Sequence, residues 1–138
     1  MALTRSGTAA DLAEIAALQA ACPEAAQWRP EDYLGFDFRV CILGGRIAGF
    51  AVSRVTVPGE RELLNVAVAP EFRKRGVGAE LVRPLITEAD VSVFLEVRES
   101  NLPARLFYKS LGFQEVGVRP EYYDQPIESA IVMKFHSC

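Results

Sequence analysis

The chain predicts a mixed α/β fold (α+β in the loose sense): a mixed central β-sheet, a βαβ unit at its heart and flanking helices. Three features carry that prediction. An apolar stripe at helical spacing occupies the N-terminal quarter. From residue 37 the pattern shortens to strand-like runs separated by Gly and Pro turns. Between residues 62 and 97, strand, helix and strand follow one another, which calls for two parallel strands and a right-handed crossover. At 138 residues, 50% hydrophobic and 24% charged, the chain suits one packed domain over 1–138 and argues against a second.

Residues 2–6 form a short strand in this reading. Thr8 and Asp11 then signal a helix start, the Thr8 side chain accepting from free N–H groups and Asp11 suiting the positive end of the helix. Leu12, Ile15, Leu18 and Cys22 give that helix its stripe, and Pro23 ends it. A second, short helix over 27–33 is entered through Pro30. Residues 38–43 and 46–52 flank Gly44-Gly45 as a hairpin, and Pro58-Gly59-Glu60 turns the chain into a strand over 62–68. A helix over 76–88, a strand over 91–97 and a helix over 103–111 closed by Gly112 follow, then strands over 113–118 and 127–135. Pro84 falls inside the first of these helices, where it removes a hydrogen bond or bends the axis.

Fifteen basic against eighteen acidic residues leave a net charge of −3, which argues against a general nucleic-acid binder. Arg73, Lys74, Arg75 and Arg83 still concentrate enough charge for a small phosphorylated ligand. Cys22, Cys41 and Cys138 are far apart, with no CxxC and no Cys/His cluster, so neither a disulfide framework nor a metal site is expected. The first residues lack a basic-then-apolar signal pattern and no apolar run reaches membrane-spanning length. A cytoplasmic protein without membrane partners is the expectation. The lone histidine, His136, falls in what reads as an inert C-terminal tail, which leaves Ser/His/Asp chemistry without support.

The informative stretch is Asn65-Val-Ala-Val-Ala-Pro-Glu-Phe-Arg-Lys-Arg-Gly-Val-Gly-Ala-Glu-Leu81. A strand runs into a basic, glycine-containing turn that opens a helix, whose first N–H groups lack intrahelical partners and point at any bound anion. Gly76 and Gly78 clear the approach to a pyrophosphate; the plainer reading is a solvated basic turn. No Gly-Lys-Ser/Thr follows, and Leu81 stands where GxGxxG needs its third glycine.

Arg73-x-x-Gly76-x-Gly78 after Val-Ala-Val-x-Pro resembles the acetyl-CoA signature of the GNAT superfamily of N-acetyltransferases. The stretches 95–101 and 104–113 are similar to the next two elements of that family. Arg119-Pro120-Glu121-Tyr122-Tyr123 resembles a loop of the bacterial ribosomal-protein alanine N-acetyltransferases, the RimI type. The resemblance runs in order from about residue 62 to 135 and is loose over residues 1–60.

It implies a cofactor, acetyl-CoA, held between two splayed parallel strands. Backbone groups of Val66, Ala67 and Val68 would pair with its pantetheine arm. Arg73 and the N–H groups of Lys74, Arg75, Gly76, Val77, Gly78 and Ala79 would hold its pyrophosphate. Asn101 would bond the arm, or cap the helix after it, or both. Glu96 would take the acceptor's proton, against the plainer reading of a strand carboxylate facing solvent or paired with Arg98. Tyr108 would meet the leaving thiolate, against a packing role. Trp28, Tyr122 and Tyr123 would line the acceptor groove, or simply pack. The implied activity is direct transfer of acetyl to a primary amine, with the N–H of Val68 on the oxyanion. The favoured acceptor is the N-terminal amine of a protein. The alternatives are a small-molecule amine and, from another class, a non-catalytic acyl-CoA sensor.

Overall fold

The structure, a computed structural model, describes residues 2–124 and 126–136. Its elements follow from the periodicities above. β1 (Leu3–Ser6) precedes a single 3₁₀ turn, Ala9–Asp11, and α1 (Leu12–Ala20). Thr8 and Asp11 close a capping box at this turn: the Asp11 carboxylate accepts from the Thr8 N–H (2.8 Å) and hydroxyl (3.3 Å) while also binding Arg5 through two nitrogens. An aspartate offers two acceptor oxygens where a threonine offers one hydroxyl, so Asp11 collects the donors. The second helix is a 3₁₀ segment, Pro30–Gly35, with Pro30 in its first turn. β2 (Asp37–Leu43) and β3 (Arg46–Val57) make the hairpin around Gly44-Gly45. Partners of β2 jump from Gly49 to Ile47, so Ala48 is an extra residue bulged out of β3.

β4 (Glu60–Val68), a 3₁₀ turn at Pro70–Phe72, α2 (Val77–Ile86) and β5 (Ser92–Arg98) form the βαβ unit, with β4 and β5 parallel and paired from Glu60↔Ser92 to Glu62↔Phe94. α2 stops at Ile86, two residues past Pro84 and short of the expected Glu88; the proline cannot donate to the Glu80 carbonyl, which weakens the last turn. α3 (Leu102–Ser110), β6 (Gln114–Tyr123) and β7 (Glu128–His136) complete the chain. The seven strands lie in the order β1-β2-β3-β4-β5-β7-β6.

Two corrections bear on the site. Residues 119–123 are not a loop but the end of β6, with the ladder broken between Arg119↔Ala130 and Tyr123↔Glu128 and Glu121 at φ +52°. His136 is not in a tail but pairs with Ser92 across β5 and β7, its Nδ1 2.8 Å from the Ser92 hydroxyl.

The chain forms two compact units. The first takes the chain up to Arg54 together with Leu63–Leu85, the second Val55–Glu62 and everything from Ile86 onward. The first buries Ile15, Tyr33, Phe38, Phe50, Val77 and Leu81 in one core, with the Tyr33 ring 5.8 Å from Phe38 and 5.5 Å from Phe50. The second buries Val93, Leu95, Tyr108, Phe113, Ile131 and Met133. Cys22 and Cys41 are buried free thiols; Cys138 lies outside the described residues.

Candidate functional site

In the first unit, β4 delivers the basic turn. Ala69 donates its N–H to the carbonyl of the bulged Ala48 (2.8 Å). Successive N–H groups of a strand face opposite edges, so that of Val68 faces away from β3. The Arg73 guanidinium reaches Val68 O (3.2 Å) and Glu24 (2.5 Å), and lies 3.6 Å from the Cys22 sulfur. Burial pushes the Cys22 thiol up, which keeps it in the weakly reactive thiol form. Arg75 lies over the buried Phe72 ring, 5.6 Å from its centroid, and Lys74 is exposed with φ +64°.

Gly76 sits at φ +80°, a backbone state that costs other residues about 1–2 kcal/mol, and an added Cβ there would meet nothing within 4 Å. Glycine is therefore required by the turn, and the space in front of it is open. The first bond of α2 runs from Glu80 N–H to Gly76 O (3.0 Å), which leaves the N–H groups of Val77, Gly78 and Ala79 without intrahelical acceptors. An anion-binding helix start needs those donors and that approach, and a pyrophosphate fits it.

A buried polar network in the same unit escaped the sequence reading. Asn65 Nδ2 donates to the Tyr33 hydroxyl (3.0 Å) and Ala26 O (2.9 Å), the Tyr33 hydroxyl donates to Gln19 Oε1, and Gln19 Nε2 donates to Trp28 O (2.7 Å). Gln27 binds the carbonyls of Gln19, Cys22 and Ala25. Together they fix the segment that presents Trp28, which is 42% exposed with its ring 6.5 Å from Tyr33. The signal was available: Asn65 stands on the buried face of β4 between Leu63 and Ala67.

In the second unit, β5 alternates as expected, with Val93, Leu95 and Val97 buried on one face and Phe94 and Glu96 on the other. The Glu96 side chain is only 16% exposed, and its neighbour is Arg119, Nε 2.8 Å from Oε2, rather than Arg98. Arg98 instead pairs with Glu128 (3.2 Å) and lies 4.4 Å over the Tyr123 ring. Tyr122 and Tyr123 meet edge to face at 5.1 Å, as the break in β6 allows. Burial, and then the Glu96 carboxylate beside them, raises both phenols, Tyr123 to about 12. A cavity of about 330 Å³ opens here, lined by Thr56, Glu60, Glu62, Phe94, Glu96 and Arg119 among others. The structure thus brings Glu96, Tyr122 and Tyr123 together. The two acids on β4 and Arg119 were not foreseen as lining residues.

Tyr108 is held by the end of α3. Gly112, at φ +102°, lets its N–H reach Lys109 O and the Phe113 N–H reach Tyr108 O (both 3.0 Å), a Schellman closure that stacks Phe113 5.4 Å from the Tyr108 ring. Burial drives the Tyr108 phenol well above its ordinary range, and its hydroxyl makes no hydrogen bond among the described residues. Such a phenol keeps its proton and can donate it in a hydrogen bond. Asn101 Oδ1 accepts from Ala104 N–H (3.2 Å), the capping role, which leaves its amide N–H₂ for other partners. Among the described residues no group of three His, Cys, Asp or Glu could hold a metal ion, and no helix is long and apolar enough to cross a membrane.

A mixed sheet whose β4 runs into an anion-binding helix start is a fold that acetyltransferases share. Residues 10–113 match the acetyltransferase (GNAT) family, and the chain belongs to it. It is similar to the ribosomal protein bS18-alanine N-acetyltransferase of Salmonella typhimurium, 44% identical over 94 residues, which cover 64% of this chain and 63% of that enzyme, less than two-thirds of its length. It superposes on the crystal structure of the ribosomal-protein-S18-alanine N-acetyltransferase from Escherichia coli with TM-score 0.84 at 30% identity, covering 100% of this chain and 96% of the other. Chaetomium thermophilum Naa20 in complex with a bisubstrate analogue matches with TM-score 0.86 at 25% identity, covering 98% and 86%.

Proposed function

We propose that the chain acts as one domain that moves acetyl from acetyl-CoA to the N-terminal amine of a protein by direct attack. The observation that carries this reading is Glu96: a largely buried carboxylate that faces a cavity beside two tyrosines, on the strand that follows the anion-binding turn. The relatives named for acetylating a ribosomal protein's alanine support the choice of acceptor.

Acetyl-CoA, when bound, supplies an activated acetyl group. The N–H groups of Lys74 to Ala79 would hold its pyrophosphate, and the backbone of Val66 to Val68 its pantetheine arm, with the Val68 N–H as oxyanion donor. Glu96 takes the proton from the acceptor ammonium, directly or through water. Tyr108 donates a hydrogen bond to the departing sulfur. An α-amine with pKa near 7.7–8.0 is about a tenth neutral at pH 7, whereas a lysine near 10.4 costs roughly 3.5 kcal/mol more to deprotonate. One carboxylate suits the smaller task.

Two peptides test this in competition, one with a free N-terminus and blocked lysine, the other the reverse. The free N-terminus is acetylated faster at pH 7, and Glu96→Gln loses most rate at low pH and recovers in part as pH rises. Faster acetylation of the lysine peptide refutes the acceptor, acetylation of neither gives first place to a small amine, and a loss in Glu96→Gln that is flat with pH denies the base.

A further inference from the structure

Glu96 already has a cation against it, and the cation is poorly aligned. Arg119 Nε lies 2.8 Å from Glu96 Oε2, yet that oxygen, shut off from solvent, accepts no hydrogen bond. The two facts are compatible only if the guanidinium N–H is not aimed at the oxygen. A buried carboxylate oxygen gains most from an aligned, charge-assisted donor, and here it has the charge without the alignment. Arg119 is also easy to move: its side chain is 61% exposed, it is rooted where the β6 ladder breaks, and its guanidinium carbon lies 5.6 Å over the exposed Tyr122 ring. Among the described residues that line the cavity, Arg119 is the one cation, against Glu60, Glu62 and Glu96.

We propose that Arg119 is a placeholder for the acceptor's ammonium. It neutralises Glu96 while the cavity awaits its acceptor, and the incoming ammonium displaces it. A compact –NH₃⁺ carries three donors that can rotate into line with Oε2, which the planar guanidinium fork does not do from its anchor on β6. Arg119 then withdraws towards the Tyr122 ring and solvent, where the cation–π contact and water hold it. The proposal rests on the reading of Glu96 as the group that meets the acceptor amine. It makes Arg119 a positioning residue that sets acceptor affinity by competition: only an acceptor bearing a positive charge at its reacting end can take its place.

The test reads Arg119 directly. In wild-type protein labelled with ¹⁵N-arginine, the Arg119 Nε–H resonance, assigned by its absence in Arg119→Lys, shifts on titration with a peptide bearing a free N-terminus. It stays fixed with the same peptide N-acetylated. In steady state, Arg119→Gln lowers the acceptor KM about 2- to 5-fold, the size of a partly exposed ion pair, and Arg119→Lys returns it towards wild type. The KM for acetyl-CoA does not follow. An acceptor KM that rises in Arg119→Gln makes Arg119 a group that binds the peptide and overturns the proposal, as does an Arg119 resonance indifferent to a peptide that is bound and acetylated. If the free-amine peptide neither binds nor is acetylated by wild type, the reading of Glu96 falls, and the placeholder with it.

Discussion

Gly49 lies on β3 next to the bulged Ala48, under the helix that opens from the basic turn. A Cβ placed there would stand 2.8 Å from Ala67 O, 3.0 Å from Val77 Cγ1 and 3.2 Å from Leu81 Cδ1. Two of these neighbours are side chains of α2 that can give way a little. The third is a backbone carbonyl of β4 and cannot rotate aside. Gly49→Ala therefore forces β4 and α2 outward, and overpacking of this kind costs about 1–3 kcal/mol. For a domain of this size that is a fall in Tm of roughly 3–12 °C. The residues pushed are Ala67 and Val77, the middle of the proposed pantetheine edge and the first helical donor of the proposed cradle, so affinity for acetyl-CoA falls together with stability. Gly35→Ala is the control, since a Cβ at Gly35 meets nothing within 4 Å. Urea unfolding gives the stabilities and calorimetry the acetyl-CoA affinities of both variants. A Gly49→Ala protein as stable as Gly35→Ala refutes the packing argument. A destabilised one with undiminished acetyl-CoA affinity refutes the link between that packing and the cradle.

Two further outcomes are expected. Tyr108→Phe removes a hydroxyl that binds nothing among the described residues, so unfolding is nearly unchanged while kcat falls at least 10-fold and acetyl-CoA affinity stays within about 2-fold; equal losses of turnover and affinity would favour a packing role. Arg5 and the Thr8 N–H hold the Asp11 carboxyl down at about 2 in the folded chain, below its ordinary value of 3.8, so its contribution is complete above about pH 4 and is lost as pH falls through 2. With Arg5 partly exposed, that contribution is about 1–2 kcal/mol. The stability gap between wild type and Asp11→Asn, measured by urea unfolding at pH 7, 4 and 3, narrows only at the lowest value, and a gap already closed at pH 4 contradicts the assignment.

What could be read from the residues was whatever local periodicity and turn chemistry determine. The Gly44-Gly45 hairpin, the βαβ unit, the glycine closure after α3 and the two-faced β5 all appear as expected, because each is written in the periodicity of consecutive runs and the turns between them. Glu96 and Tyr108 could be chosen as candidates from their faces and from the resemblance. The partner of Glu96 could not. Arg98, two residues away, shares the face of Glu96 but is drawn across to Glu128 on β7, whereas Arg119 arrives from β6 through a broken ladder. Residues 119–123 read as a loop from the resemblance, and the structure absorbs Pro120 and Glu121 into β6 by leaving three residues unpaired before resuming at Tyr123. The network of Gln19, Tyr33 and Asn65 spans 46 positions from first to last member, and no local rule joins them.

The distortion of β6 has a second consequence, in what the protein does not do. β6 is the outermost strand on its side of the sheet and is exposed from Gln114 to Tyr122. A long, regular outer strand would offer its unpaired N–H and C=O groups to the next copy of the chain and begin a stack. Here the pairing to β7 skips Val116 and then residues 120–122, so the outer row is regular for no more than three residues at a time, and Pro120 brings no N–H at all. At the other end of the sheet β1 is too short, at four residues, to template anything. The kink that turns two tyrosines towards Glu96 therefore also breaks the template against which another chain could zip. Straightening that segment to gain sheet hydrogen bonds would forfeit the site and open the way to aggregation in the same stroke.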